Sequence, residues 1–385
     1  MHGSEALTEA NRLMTVCNSC RYCEGLCAVF PAMEQRRVFN DSDLHYLANL
    51  CHNCGACYID CQYSPPHPFD VNVPRTMSRL RRESYDKYTW PSAFSGVFLR
   101  NGLAIAIIAA CCVALFLIGF AVYHDPHKLF GAQDAGSFYA LMPHNTMVLI
   151  FGAAFSYGMI AMVMGMGKYW RDISASNAGA PFSSILQAVK DSVSLRYLDG
   201  AGAGCYIAEE PADRRRIFHH FTAYGFMLCF ASTCTATLYH VLLHREPPFP
   251  WWDIPVLLGT FGGVGLIVGT SGLLFAKHKQ DDILLDGGSY GMEVAFIAML
   301  FASSVTGFAL LFLRNTPAMG ILLAIHLGVI FALFITMPYS KFVHGLYRFV
   351  ALINYAREID LVHTEPKTKP AQQAAETLVA ITLNK

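Results

Sequence analysis

Two textures divide the chain. Residues 1 to about 95 are polar and rich in Cys, Arg, Tyr and Pro. Beyond them come six apolar stretches, at approximately 101–123, 145–167, 217–243, 254–275, 291–313 and 318–343. A helix crosses a bilayer with roughly 20 apolar residues. Buried helices of soluble domains rarely run that long with so few charges, so each stretch predicts a membrane span. Between the polar segment's cysteines, 33–50 reads as a helix, with Leu44, Leu47 and Leu50 leading into Cys51. The expected fold is all-α, with an α-helical ferredoxin-like domain at 1–95 and a six-helix transmembrane bundle at 96–350. A loop over 168–216 interrupts the bundle, and a polar tail over 351–385 is expected to be partly unstructured.

Composition strengthens this reading. Hydrophobic residues make up 54% and charged residues 15% of the 385, against about 25% charged in an average soluble domain. The formal net charge is zero, which gives no sign of nucleic-acid binding, and none is expected. Charge informs only by position. Arg79, Arg81, Arg82 and Arg100 precede the first span. Lys168, Arg171, Lys190, Arg196, Arg214, Arg215 and Arg216 lie between the second and third. Lys277 and Lys279 follow the fourth, and Lys341, Arg348 and Arg357 follow the sixth. The opposite loops hold Lys128, Arg245 and Arg314. The bias places both termini and the loop 168–216 in the cytoplasm. Met1 to Thr15 has no apolar core, so no signal peptide is expected. In a reducing compartment, clustered cysteines predict metal ligation rather than disulfides.

Eight of the thirteen cysteines fall in two groups. Cys17, Cys20, Cys23 and Cys27 repeat the spacing C-x2-C-x2-C-x3-C, and so do Cys51, Cys54, Cys57 and Cys61. Three thiolates at intervals of three wrap one face of an iron–sulfur cube. The chain carries the fourth away to the other cluster. Cluster one is therefore expected on Cys17, Cys20, Cys23 and Cys61, and cluster two on Cys51, Cys54, Cys57 and Cys27. The usual proline after the fourth cysteine is missing, with Ala28 and Gln62 in its place. This favours a helical ferredoxin over the small βαββαβ type. Two zinc sites are the competing reading, though zinc commonly takes paired C-x2-C knuckles with a longer gap. Cys111, Cys112, Cys205, Cys229 and Cys234 read as small core residues.

Ionisable groups within spans invite a functional reading. His326 and His344 are eighteen residues apart in the sixth stretch, which is five turns and about 27 Å of straight helix. His219 and His240 are twenty-one apart in the third, about 31 Å. With antiparallel spans, His219 meets His344 near the cytoplasmic surface and His240 meets His326 near the outer one. Two stacked bis-histidine haem b sites result. His220 and His240, twenty residues apart, fall on nearly opposite faces, so His219 is the better partner for His240 on one face, His144 is a weaker spare ligand, and Pro338 threatens the angular count. The bland alternative puts these histidines at helix ends facing water. Glu293 reads either as a proton carrier near a quinone or as a helix-start carboxylate.

The two cysteine groups, the run Arg215-Arg216-Ile217-Phe218-His219-His220 and the loop Leu195 to Cys205 together resemble the tricarballylate-utilisation protein B family, also called citrate-utilisation protein B. The likeness spans about 13–358. The resemblance implies a multi-pass protein of a bacterial inner membrane. Such a protein carries electrons from a soluble FAD-dependent dehydrogenase, that for tricarballylate, through two [4Fe–4S] clusters and haem b. The electrons then join the quinone pool. No nucleotide-binding glycine motif, catalytic triad or carboxylate pair stands out, so no carbon chemistry is expected of the chain itself. Two other readings compete. One is an integral subunit of a larger reductase, like those of nitrate or heterodisulfide reductases. The other is a zinc-headed transporter or sensor, although the paired broken helices of transporters are not evident.

Overall fold

The computed structural model describes residues 2–131, 138–174, 179–198, 206–207, 210–211 and 214–364. The N-terminal head contains α1 (Glu5–Cys20), α2 (Val29–Glu34), α3 (Asp41–Leu50), α4 (Ala56–Ile59) and α5 (Val73–Tyr88). Side chains set the helix starts. Ser4 caps α1 by accepting from the Leu7 amide, and Asn40 and Asp43 form a reciprocal capping box on α3. Left-handed backbone marks one stop and one start. Arg21 closes α1 at φ 56°, and Gly55 precedes α4 at φ 86°, a conformation that costs glycine nothing. The apolar faces of α1, α3 and α5 then close over Leu13, Met14, Leu44, Leu47, Met77 and Leu80, all buried.

A 3₁₀ segment over Ser92–Arg100 leads into the long helices. They are α6 (Asn101–Tyr123), the short α7 (Pro126–Leu129), α8 (His144–Ile173), α9 (Phe182–Val193), α10 (Arg214–Leu243), α11 (Ile254–His278), α12 (Gly287–Leu313), α13 (Met319–Thr336) and α14 (Val343–Thr364). Among the described residues, six candidate spans are long and apolar enough to cross a membrane, the sixth being the path Met319–Leu361 through α13 and α14. The described strands are one antiparallel pair, Tyr206–Ile207 with Glu210–Pro211.

The sixth stretch departs from the expected continuous helix. Pro338 has no amide hydrogen to donate, so α13 ends at Thr336. A 3₁₀ turn covers Met337–Tyr339, Ser340 is extended, and helix restarts at Val343. His326 and His344 therefore lie on different helices, and the eighteen-residue count along one face no longer relates them. The structure also carries helix past the domain boundary expected at 350, to Thr364. That segment packs on α3, α8 and α9. Residues 199–205, most of the family-like loop, and the tail from 365 lie outside the described residues.

Head and bundle share one core. Leu50, Met77 and Tyr85 of the head cluster with Tyr169 of α8 and Tyr347 and Val350 of α14. Polar ties cross the same seam. Arg36 bridges Asp43 at 2.6 Å and Glu358 of α14 at 2.6 Å, and Tyr46 donates to Glu358 at 3.0 Å. Lys168 of α8 donates to the Thr89 carbonyl at 3.1 Å. In the bundle, α10 and α11 touch backbone to backbone. A Cβ on Gly225 would stand 2.7 Å from the Leu266 amide nitrogen, and one on Gly269 would stand 2.5 Å from that of Thr222. Small residues at such crossings are what let membrane helices approach so closely. On its other side α10 has no comparable backbone packing among the described elements.

Candidate redox centres

The last turn of α1 presents Cys17 and Cys20, and the reversal at Arg21 returns the chain through Cys23. These three line an open-sided recess of about 430 Å³ together with Cys61 from the second group. Cys51, Cys54 and Cys57 line a second recess of about 390 Å³ with Cys27 from the first group. Cys57, Phe30 and Val73 belong to both walls, so the recesses are neighbours. Electrostatics repeats the exchange. Burial, then Cys23, Cys61 and Cys20, pushes the Cys17 thiol up to about 12. Burial, then Cys61, Cys20 and Asp60, pushes Cys23 up to about 11. Burial, then Cys54 and Cys51, raises Cys27 strongly. The fourth cysteine of each sequence group thus sits with the first three of the other.

No three His, Cys, Asp or Glu side chains among the described residues draw close enough to grip a single ion. A zinc ion with Zn–S bonds of about 2.3 Å would need its four sulfurs pulled to a point. Sulfurs spread around a recess suit a larger inorganic core.

The two recesses differ in surroundings. The first opens outward beside exposed Arg21, Tyr22, Glu24, Asp60 and Gln62. The second is turned toward the bundle. Arg81 and Arg348 both donate to the Cys51 carbonyl, Arg348 at 2.8 Å, and Arg348 also donates to Asn49 O at 3.3 Å. Arg215, at the start of α10, donates to Asn53 O at 2.9 Å. Burial and then Arg348, Arg215 and Arg81 hold His52 far below its usual range. Sequence reasoning used these arginines to orient the spans, and Arg215 also in the family-like run, but gave none of them a place beside the clusters. A local signal existed, because Arg215 lies four residues before His219 and Arg348 four after His344, on the same helix faces.

Those two histidines meet directly behind the second recess. The rings of His219 and His344 stand 6.0 Å apart between centroids, inclined at 72°. His344 Nδ1 is held by the Lys341 carbonyl, while His219 Nδ1 is buried without a hydrogen bond. An iron bonded to one nitrogen of each ring at about 2 Å separates the centroids by about 6 Å, so this spacing fits a metal between them.

The pair expected at the far end is not brought together. His240 of α10 stacks on His144, the first residue of α8, at 3.7 Å. His326 pairs with Thr306 at 2.9 Å through its Nδ1. The physical reason is the break at Pro338, which fixes α13 independently of α14. His220 stacks on Tyr224 at 5.6 Å, and His244 takes φ 50° just past α10. Glu293 is clamped between Lys277 and Lys341, the latter at 2.7 Å, and so forms a structural ion-pair network. Cys112 is buried and Cys229 half-buried as expected of small core residues, but Cys111 and Cys234 are exposed on the helix surfaces. Cys205 lies outside the described residues.

Comparison with known proteins adds three findings. The family described as Citrate utilization protein B matches residues 98–363, and its Fer4-like domain matches 10–87. Citrate utilization protein B of Escherichia coli is 46% identical over 357 residues, covering 92% of this chain and 93% of that protein. No solved structure matches.

Proposed function

The chain belongs to the citrate utilization protein B family, and on that premise we propose that it is a membrane electron carrier serving the oxidation of a tricarboxylate. Its Fer4-like head is an iron–sulfur domain. In our reading Cys17, Cys20, Cys23 and Cys61 hold one [4Fe–4S] cluster and Cys51, Cys54, Cys57 and Cys27 hold a second. His219 and His344 hold a b-type haem. These groups, when bound, supply one-electron redox couples at fixed positions. Everything else is the work of the polypeptide.

The head is read as cytoplasmic, in a bacterial inner membrane, from the bias of Lys and Arg along the chain. A soluble FAD-dependent dehydrogenase, that for tricarballylate, is the proposed donor. The quinone pool is the proposed acceptor. The outward recess faces the donor. The inward recess is backed by Arg81, Arg215 and Arg348, whose positive charge favours the more negative, reduced state there. The first recess has Asp60 against Cys23 instead. The polypeptide field therefore biases electrons from the exposed site toward the membrane. Arg348 completes the passage, since it holds the Cys51 carbonyl four residues from His344.

The observation that carries this reading is the exchange of fourth cysteines between two adjoining recesses, one of which backs onto a histidine pair. It is tested in the full-length protein purified anaerobically in detergent. Cys61→Ser is expected to remove the signal of the cluster held by Cys17, Cys20 and Cys23 from the electron paramagnetic resonance spectrum. Cys27→Ser is expected to remove the other. If Cys61→Ser instead abolishes the cluster of Cys51, Cys54 and Cys57, the wiring is uncrossed and the assignment fails.

A further inference from the structure

We propose that His144 and His240 form a second haem site at the end of the bundle away from the head. This rests on the reading that the bundle carries b-type haem, and it assigns a different ligand set from the one sequence spacing suggests.

The two imidazoles lie nearly parallel, 3.7 Å between centroids and 27° between planes. Both Nδ1 atoms are buried with no hydrogen-bond partner. A buried imidazole nitrogen without a partner carries an uncompensated desolvation penalty. Each of the two nitrogens is left without a partner from the described polypeptide. Tyr139 closes the site edge-on, 5.5 Å from His144 and 5.6 Å from His240.

The helix that carries His240 packs one-sidedly. His240 shares α10 with His219, twenty-one residues away, about 31 Å along the axis, so each end of one helix presents a histidine. That helix lies backbone to backbone with α11 through Gly225 and Gly269. Toward α8 and α14 it has no such packing, and side chains span the gap. His219 reaches His344, Phe226 reaches Phe342 at 5.6 Å, Phe230 reaches Phe155 at 5.7 Å, and His240 reaches His144. One helix held tight on one side thus meets α8 and the α14 end through side chains alone, and this is the side on which a flat ligand would lie between the histidines. To hold one iron, the His144 and His240 rings must turn out of their present stack, so that their in-plane nitrogens face each other, and part to about the 6.0 Å seen at His219 and His344.

The ligand class follows from the donor count. No third His, Cys, Asp or Glu among the described residues joins His144 and His240 closely enough to hold a bare ion. Zinc and copper sites ask the protein for three or four ligands. Haem brings four equatorial nitrogens and asks only for axial ones. His326 is a poorer candidate. Its Nδ1 is bonded to Thr306, and its ring lies against α12, where a Cβ on Gly307 would stand 3.3 Å from its Cε1.

The test counts haem per chain by pyridine haemochrome, with low-temperature optical and low-spin ferric resonance spectra, on full-length protein in detergent. Wild type is expected to hold two haems. His144→Ala, His144→Gln and His240→Ala are each expected to hold one, with the spectrum that His344→Ala removes left intact. The iron–sulfur resonance signals serve as the folding control. His326→Ala is expected to keep both haems. If wild type holds one haem, lost in His344→Ala, the second site is wrong while the electron-carrier reading stands. Loss of a haem in His326→Ala but not in His144→Ala also overturns the proposal. A wild-type protein with clusters and no haem overturns it together with the haem reading beneath it.

Discussion

Arg348 touches both halves of the proposed electron path. Its guanidinium donates to the carbonyls of Asn49 and Cys51, and it stands one helical turn from His344. A charge-assisted bond to a buried carbonyl contributes about 1.5–3 kcal/mol. Arg81 shares the same acceptor, so the loop keeps a partner when Arg348 is replaced. Arg348→Gln is therefore expected to fold and to bind both clusters. Its electrostatic effect is the one the clusters report. Removing one buried positive charge a few ångströms away lowers the midpoint potential of the second cluster by several tens of millivolts. The first cluster, on the far side of the shared wall, is expected to move much less. A redox titration of the variant followed by electron paramagnetic resonance reads both shifts. Equal shifts, or none, would contradict the placement of Arg348 beside the second cluster alone. The thiols themselves were legible from the chain, because a spacing of three residues is a local constraint that needs no knowledge of distant packing. The arginines were not, because their purpose depends on which carbonyls the folded loop turns toward them.

At the scale of elements, α10 is the part whose packing is most one-sided. It has a buried glycine, Gly225, against α11, and exposed Ile217, Phe221, Met227 and Leu238 over much of its remaining surface. Gly225→Leu puts a side chain where the Leu266 amide and the Gly262 carbonyl already stand, at 2.7 and 2.8 Å from the first added carbon. Overpacking of this kind costs about 1–3 kcal/mol when side chains can move aside, and here backbone must move. The expected result is a lower melting temperature, together with loss of the haem that depends on His219. The cluster signals of the head are retained. A variant with unchanged haem content and melting temperature would contradict the close α10–α11 crossing. The six apolar runs were readable because length and low charge are properties of the sequence alone. Histidine pairing was not. It depended on counting turns along 318–343, and Pro338 divides that stretch into α13 and α14. The near-end pair, His219 with His344, needed only that both lie at the head end of their helices. The far-end pair required knowing that α8 begins at His144 beside the end of α10.

The whole molecule places a thiol recess beside exposed head residues, a second thiol recess bordered by arginines that reach from the bundle, and a histidine pair one helical turn from two of those arginines. The shared core of Leu50, Tyr85, Tyr169 and Tyr347 holds them as one body. Glu24 and Asp60 with a single arginine, Arg21, border the first recess and three arginines border the second, so the proposed path runs toward the more positive surroundings. The most direct test is an anaerobic redox titration of the purified full-length protein, followed together by electron paramagnetic resonance and optical absorption. The expected record has two iron–sulfur couples, the one sensitive to Arg348 at the higher potential, and reduced b-type haem bands. Stoichiometric zinc at the eight cysteines, with no paramagnetic signal on reduction, would contradict the account, and so would cystine bridges among them.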